Sequence, residues 1–220
     1  MFLIFSLVVF IFSVMIHEVS HGVVAYKLVD DTAKAMGRLN LNPLSHIDPV
    51  GSIFLPLFLI LINSPILFGW AKPVPYNPNN LKNPRSGAAL IGAAGPLSNL
   101  LMAAIFGIFS RLLPLDYQTR VVLAQAVPQG AAELISTPFE ALFFAFAIIV
   151  FINTLLAIFN LVPIQPLDGS KLLFVFLPYK YRNVQTFLEQ YGAVILMVFI
   201  LFGFGLIIPI ISGLYNLLVG

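Results

Sequence analysis

Long apolar stretches alternate with short polar connectors along this chain. The first stretch covers residues 2–28, and its opening fifteen residues carry no charge. At 1.5 Å per residue it would be roughly 40 Å long, enough to cross a bilayer. Because no basic residue precedes it, the pattern favours a transmembrane helix over a signal peptide. Further helices are predicted at 87–113 and 139–161, with a C-terminal helix or kinked pair at 187–218.

Two polar connectors interrupt this pattern near the N-terminus. Residues 30–49 contain a short alternating run at 38–41, which predicts a β-like segment before a turn-rich stretch. Residues 71–86 contain four prolines, which exclude a regular helix and favour an extended loop.

Composition narrows the class of protein. Residues of the AVILMFWYC set make up 60% of the 220-residue chain and charged residues only 9%, which excludes an ordinary soluble domain. The net charge of +2 gives no support for nucleic-acid binding, and without cysteine any metal must be held by His and carboxylate. We therefore predict an all-α polytopic membrane protein, residues 1–220 forming one domain of about five apolar helical segments.

A group of ionisable residues lies inside the first apolar stretch. His17 and His21 are four residues apart, so on a helix both imidazoles face one point, and Glu18 lies about 100° round from His17. This is the spacing of a two-histidine zinc chelate in which the glutamate can take a proton from a water activated for attack on a carbonyl. The alternative, three uncompensated polar groups in lipid, is energetically costly.

A catalytic zinc needs a third protein ligand, and Asp168 is the candidate. Pro163 and Pro166 end the preceding apolar segment, and Gly169 permits a tight turn directly after the acid. A carboxylate on unwound backbone at such a helix end is tolerated when it is buried in protein or lines a cavity. The alternative role for Asp168 is that of a turn residue near the lipid headgroups.

Three motifs together resemble the site-2 protease family of intramembrane zinc metalloproteases. They are the His-Glu-x-x-His of residues 17–21, the Gly-Pro-Leu-Ser-Asn of residues 95–99, and residues 160–169 from Asn160 to Gly169. The resemblance implies a compact member without PDZ or CBS domain that uses Zn²⁺, one per chain. It implies that His17, His21 and Asp168 bind the metal, that Glu18 is the general base and that Asn160 binds the substrate.

Other polar residues have weaker predicted roles. Ser98 and Asn99 are candidates for hydrogen bonding behind the zinc ligands. Gly87, Gly92 and Gly95 offer a small-residue surface for close helix packing. His46 resembles part of a motif from one branch of the family and is expected to form hydrogen bonds or to gate the site, with a fourth zinc ligand as the alternative. Packing is the main expectation for residues 95–99, and capping of a helix end is the alternative for Asn160.

The site also predicts a topology. If Asp168 lies at the depth of His17, residues 50–69 must leave and return on one face, as a re-entrant segment. Nine Lys and Arg side chains then share that face and two lie opposite, which makes it cytoplasmic.

We thus expect a multi-pass protein of a prokaryotic cell membrane that cleaves a transmembrane or membrane-proximal peptide bond near the cytoplasmic leaflet. Its expected partners are the lipid bilayer and a transmembrane protein substrate; the oligomeric state stays open. The alternative is a non-proteolytic metal-binding membrane protein or zinc transporter, which would place ionisable groups along a path through successive helices.

Overall fold

A computed structural model describes residues 2–54, 57, 58, 61 and 72–220. The predicted re-entrant segment at 50–69 falls mostly outside these residues. The α-helices within the described ranges are α1 (Phe2–Lys27), α2 (Thr32–Ala35), α3 (Pro84–Arg111), α4 (Tyr117–Ala126), α5 (Pro138–Asn160), α6 (Gly169–Phe176), α7 (Arg182–Val198) and α8 (Ile208–Val219). Four described helical stretches, residues 2–27, 84–111, 138–160 and 182–206, are long and apolar enough to cross a membrane. The all-α polytopic membrane fold is confirmed.

Local sequence sets where the long helices begin. Asn83 accepts a hydrogen bond from the Ser86 backbone N–H, and Pro84 occupies the first turn of α3, where no backbone donor is needed. Thr137 and Glu140 form a reciprocal capping box at the start of α5. Each cap satisfies backbone donors that would otherwise be left unpaired at a helix end.

The β-like segment predicted at 38–41 is wrong, since the described residues contain no strand. Arg38 and Asn40 use their side chains to form hydrogen bonds with backbone groups, and no neighbouring strand pairs with this segment among the described residues. Arg38 donates to the carbonyls of Lys72 and Pro73. The Asn40 amide donates to the Gly37 carbonyl and accepts from the Asn42 N–H. The alternation of polar and apolar residues at 38–41 therefore arises from the buried Arg38 and not from the two faces of a β-strand.

Helix α3 is central to the bundle and packs against α1, α5, α6 and α8. Contacts pair Ser13 of α1 with Asn99 of α3, and His21 with Ile91, so these two helices are antiparallel. Ring contacts join Phe2 to Phe144, so α1 and α5 run parallel. The C-terminal end of α1, the N-terminal end of α3 and the C-terminal end of α5 consequently lie at one end of the bundle.

The opposite end holds the largest apolar core. Its buried side chains come from α3, α4, α5 and α8, and the larger ones are Leu123, Phe143, Phe144, Ile148, Tyr215 and Val219. The C-terminal apolar segment is interrupted by a π-helical turn, Phe199–Gly203, and a 3₁₀ turn, Phe204–Leu206, before α8. A smaller cluster, beside the C-terminal end of α5, packs Leu196, Ile207 and Ile211 against Val162 and Leu167.

Candidate metal centre

Helix α1 places two buried histidines one turn apart. The His17 and His21 ring centroids are 4.7 Å apart, with the rings nearly perpendicular at 85°. Asp168, just before α6, completes the group. Its Oδ2 atom lies 3.0 Å from His17 Nε2 and 3.1 Å from His21 Nε2. Residues 151 positions apart in the chain thus meet at one point.

The hydrogen bonds behind the imidazoles show whether these residues fit zinc. His17 Nδ1 is 2.6 Å from Asn99 Oδ1, and His21 Nδ1 is 2.6 Å from the Ile91 carbonyl oxygen. Since a carbonyl oxygen only accepts, each Nδ1 carries the hydrogen and each Nε2 presents a lone pair. Two lone pairs and a carboxylate oxygen therefore converge, which is a donor set for a cation.

The spacing of these donors also suits the metal. Zinc–ligand distances of about 2.0 to 2.1 Å at tetrahedral angles put neighbouring ligand atoms about 3.3 Å apart. The two nitrogen–oxygen separations of 3.0 and 3.1 Å are close to this value. The residues present fit a zinc ion with three protein ligands.

Glu18 lies beside this donor set. Ligand atoms of His17, Glu18 and His21 all lie within 4.8 Å of one another. The half-buried Glu18 carboxylate accepts a hydrogen bond of 3.0 Å from the Val74 backbone N–H through Oε2. A cavity of about 130 Å³ opens in front of these side chains, and Asn160 and Asp168 share its lining.

The turn at Gly169 and a hydrogen bond from Lys171 hold Asp168 in place. The segment 161–168 leaves α5 and turns back, and a Cβ atom on Gly169 would overlap the carbonyls of Leu161 and Val162, so glycine is required at this turn. Lys171 donates a 2.9 Å hydrogen bond to Asp168 Oδ1, leaving Oδ2 for the histidine side. The sequence pattern did not point to Lys171.

A buried amide network supports His17. Asn99 Nδ2 donates to Asn153 Oδ1 over 2.8 Å and to the Ser13 carbonyl, so its Oδ1 must face His17. Asn153 Nδ2 donates in turn to Ser13 Oγ and to the Ile149 carbonyl. These donor contacts determine the orientation of each amide. Because the Asn99 oxygen therefore faces His17, the hydrogen of the imidazole must be on Nδ1. Sequence reasoning named Asn99 but missed Ser13 and Asn153.

The remaining predicted residues lie in different places. A Cβ on Gly95 would come within 2.5 Å of His17 Nε2 and 2.6 Å of His21 Cε1, so α3 packs its backbone directly against the imidazoles. The Ser98 hydroxyl bonds to the Gly95 carbonyl, within its own helix. His46 is buried in the first connector, where its Nε2 lies 3.0 Å from the Asn40 carbonyl oxygen. Neither Ser98 nor His46 is among the described residues that line the metal-site cavity.

Residues 72–77 form an irregular segment that contributes Pro73, Val74 and Tyr76 to the cavity lining and is held at both ends. Arg38 donates to the carbonyls of Lys72 and Pro73. Asp30 accepts from the Asn77 N–H over 2.7 Å and from Asn80 Nδ2 over 2.8 Å. Val74, between these anchors, is thereby aligned with Glu18.

The Asp30 carboxylate is ionised in this arrangement. Burial raises its pKa, but hydrogen bonds from Thr32, Asn80 and Asn77 outweigh burial and leave the pKa below its usual value of 3.8. Asp30 is fully buried and lies outside the membrane-spanning helices. A charged group therefore joins the two connectors.

The fold and this donor set define a membrane-embedded metalloprotease class. Peptidase family M50 matches residues 5–203, nearly the whole chain. The chain belongs to this family, the site-2 proteases, and is a zinc metalloprotease that resides in the membrane.

Two relatives agree with this assignment. YwhC of Bacillus subtilis (strain 168), named provisionally as a zinc metalloprotease, is 38% identical over 194 residues, covering 88% of this chain and 78% of the relative. Rip2 of Mycolicibacterium smegmatis (strain ATCC 700084 / mc(2)155), named in the same way, is 24% identical over 190 residues, covering 86% of this chain and 63% of the relative. No solved structure gives a significant match.

Proposed function

We propose that His17, His21 and Asp168 hold the zinc ion and that the chain cleaves a transmembrane or membrane-proximal peptide bond near the cytoplasmic leaflet. The observation that carries this proposal is the meeting of both Nε2 atoms with one Asp168 oxygen, at 3.0 and 3.1 Å. Zinc bound there supplies the Lewis acidity that activates water toward a peptide carbonyl.

Glu18 acts as the general base in this proposal. The Val74 N–H holds its Oε2 atom, so Oε1 is the oxygen that accepts the water proton. The same hydrogen bond keeps the carboxylate at the wall of the cavity, beside His17 and His21. Glu18 can afterwards deliver the proton to the leaving amine.

Asn160 contributes on the other side of the cavity. One hydrogen of its amide is donated to the Leu156 carbonyl within α5, at 2.9 Å. The amide has a second N–H, which can donate to the substrate backbone or to the oxygen on which negative charge develops. Its place in the cavity lining supports this role.

The substrate must present an unwound segment to this site, because helical carbonyls are hydrogen-bonded and shielded. Pro73, Val74 and Tyr76 line the cavity, and Val74 already carries the contact to Glu18. In this proposal an extended substrate segment lies between these residues and Asn160. The bond that is cut is then one near a helix end or in a stretch that unwinds easily.

Side-chain contacts between the connectors support the cytoplasmic placement and the re-entrant segment. Asp30 bonds to Asn77 and Asn80, and Arg85 bonds to the Phe174 carbonyl, so the N-terminal end of α3 lies beside the ends of α1 and α6. Residues 50–69 would then leave and return on one face. In this topology nine of the eleven Lys and Arg side chains share that face, which favours a cytoplasmic placement.

The test of the proposed function compares membranes from cells that express the wild-type chain or Glu18→Gln. The glutamine cannot accept the proton at neutral pH, so we expect zinc to be retained and one or more transmembrane proteins to accumulate uncut, with cleavage slowed by about 10³-fold or more. Glu140→Gln, the same change in the α5 capping box, serves as control and should cleave normally. Normal cleavage by zinc-loaded Glu18→Gln would contradict the mechanism.

Topology is tested with single cysteines, since the chain has none of its own. Asn40→Cys and Asn79→Cys, one in each connector, should both resist an impermeant thiol reagent added outside intact cells. Gln118→Cys, beyond α3, should be labelled. Labelling of Asn79→Cys without Asn40→Cys would mean that residues 50–69 cross the membrane.

A further inference from the structure

A second and larger cavity adjoins the metal site. Its volume is about 500 Å³, within the range of ligand-binding pockets, and it lies between the N-terminal end of α3, helix α6 and the first half of α7. Tyr76 and Lys171 line both cavities. We call the larger one the α7 groove. A chain lying in the metal site can continue into the α7 groove past these two side chains.

The described wall of the α7 groove is predominantly cationic. Arg85, Lys171 and Arg182 line it, and Glu189 is the one acidic side chain among its described lining residues. Arg182 is exposed at the first turn of α7, and Gln185 and Glu189 follow it at positions i+3 and i+7, on the same face of that helix. The wall is therefore positive where α7 begins and becomes neutral and then negative farther along.

The lining is also suited to hydrogen bonding with a polypeptide backbone. Gln165 lies in the turn before Asp168, Gln185 lies on α7, and both line the α7 groove. Gln185 Nε2 donates one hydrogen bond of 2.9 Å to Glu189 Oε1, which leaves its second N–H and its carbonyl oxygen for an extended peptide. The phosphate headgroup of a lipid needs only donors, so an anionic lipid gives no account of these amides or of Glu189.

We propose that the α7 groove binds the part of the substrate that flanks the cleaved bond and selects acidic side chains there. The inference rests on the proposed proteolytic function, whose zinc-bound site the α7 groove adjoins. Lys171 contributes to both regions, because it bonds to Asp168 while lining the α7 groove. Arg182 is the specificity-determining residue, and Glu189 disfavours a second acidic group farther along the substrate.

The experiment measures binding to the full-length, zinc-loaded Glu18→Gln protein in phosphatidylcholine nanodiscs. The probes are two fluorescein-labelled decapeptides of Ala and Ser, one with three Glu and one with three Lys. We expect the Glu peptide to bind about tenfold more tightly, and Arg182→Glu to weaken it by about five- to tenfold. Glu189→Lys should strengthen it. Arg182→Glu should fold normally, since an acid suits the first turn of a helix.

Lys82→Glu is the matched control, because Lys82 is exposed in the second connector and does not line the α7 groove. Equal binding of both peptides, binding of neither, or equal losses with Arg182→Glu and Lys82→Glu would overturn the proposal. So would displacement of the Glu peptide by phosphatidylglycerol in the nanodisc, which would identify a lipid headgroup site.

The binding result is separable from the proposed function. Proteolysis fails as a hypothesis if no membrane protein accumulates in cells with Glu18→Gln, whatever the decapeptides do. The α7 groove fails if the peptide preference is absent in a protein that holds zinc and unfolds at the normal temperature.

Discussion

The two ends of the helix bundle are stabilised by different interactions of their buried side chains. At the metal end, polar groups such as His17, Asn99 and Asp168 are buried and each is hydrogen-bonded to a partner in another part of the chain. At the opposite end, Phe143 and Leu123 pack in an apolar cluster. Packing at the apolar end depends on contact area, whereas the metal end depends on directed bonds. Mutations should therefore separate stability from metal binding.

The largest effect is expected from Phe143→Ala, which leaves a cavity in the apolar cluster. The side chain is fully buried, so the free energy of unfolding should fall by about 3–5 kcal/mol. Zinc bound per folded chain should stay unchanged, since none of the three proposed zinc ligands belongs to this cluster. Thermal unfolding in detergent and metal analysis measure the two quantities. Phe139→Ala, an exposed position on the same helix, is the control.

Asp168→Ala is the corresponding change at the metal end. It removes the anionic member of the donor set, so zinc affinity should fall by more than about 100-fold. Competition with a chelator of known affinity measures this loss. Asp116→Ala removes an exposed helix cap instead and should lower stability slightly without altering zinc affinity. Unchanged affinity in Asp168→Ala would direct attention to Asp48 or His46.

Asn153→Ala tests whether the amide network belongs functionally to the metal end. It removes the acceptor for Asn99 Nδ2, so the Asn99 side chain loses its fixed direction and zinc affinity should fall about 10- to 100-fold. The neighbouring Thr154 is equally buried, and its hydroxyl has no hydrogen-bond partner in the described part of the chain. Thr154→Ala should therefore leave zinc affinity unchanged. Similar losses in both variants would mean a general packing effect.

The smallest effect concerns pH. Because the folded-state pKa of Asp30 lies below 3.8, its stabilising contribution is present above that pH and is lost as pH falls through the lower folded-state value. Asp30→Asn should cost about 1 kcal/mol at pH 6 and should flatten this part of the acid response. Unfolding temperatures at pH 6 and pH 3 test it. An equal acid response in both proteins would exclude Asp30 as its source.

The metal end was the more predictable of the two because part of its pattern is local. The i, i+4 spacing of His17 and His21 places both imidazoles on one helix face whatever else the fold does. Asp168 was predicted from its position at an apolar helix end together with the need for a third, anionic zinc ligand, and a turn role was the alternative. Asn153, by contrast, lies singly in an apolar helix and no spacing links it to Asn99, 54 residues earlier.

Other parts of the site could not be predicted from the pattern of side chains along the sequence. The contact to Glu18 comes from the Val74 backbone N–H, which is the same group in nearly every residue type. The alternation at residues 38–41 was misleading because the buried Arg38 serves carbonyls of another connector, which only the tertiary fold brings near. Helix existence followed from apolar length, but apolar length alone left a single C-terminal helix and a kinked pair both open, and the structure has an interruption at residues 199–206.

The two anchors of residues 72–77 also determine where the chain can change length. Arg38 holds the segment at Lys72 and Asp30 holds it at Asn77. The number of residues between these two contacts is therefore fixed if the Val74 N–H is to reach Glu18. An inserted residue between Val74 and Asn77 would have to bulge and would carry the N–H away from the carboxylate. Insertions at Lys82, an exposed position outside both anchors, leave that span intact. A tag or sensor domain inserted at Lys82 should therefore leave the contact to Glu18 intact, whereas one inserted between Val74 and Asn77 should break it.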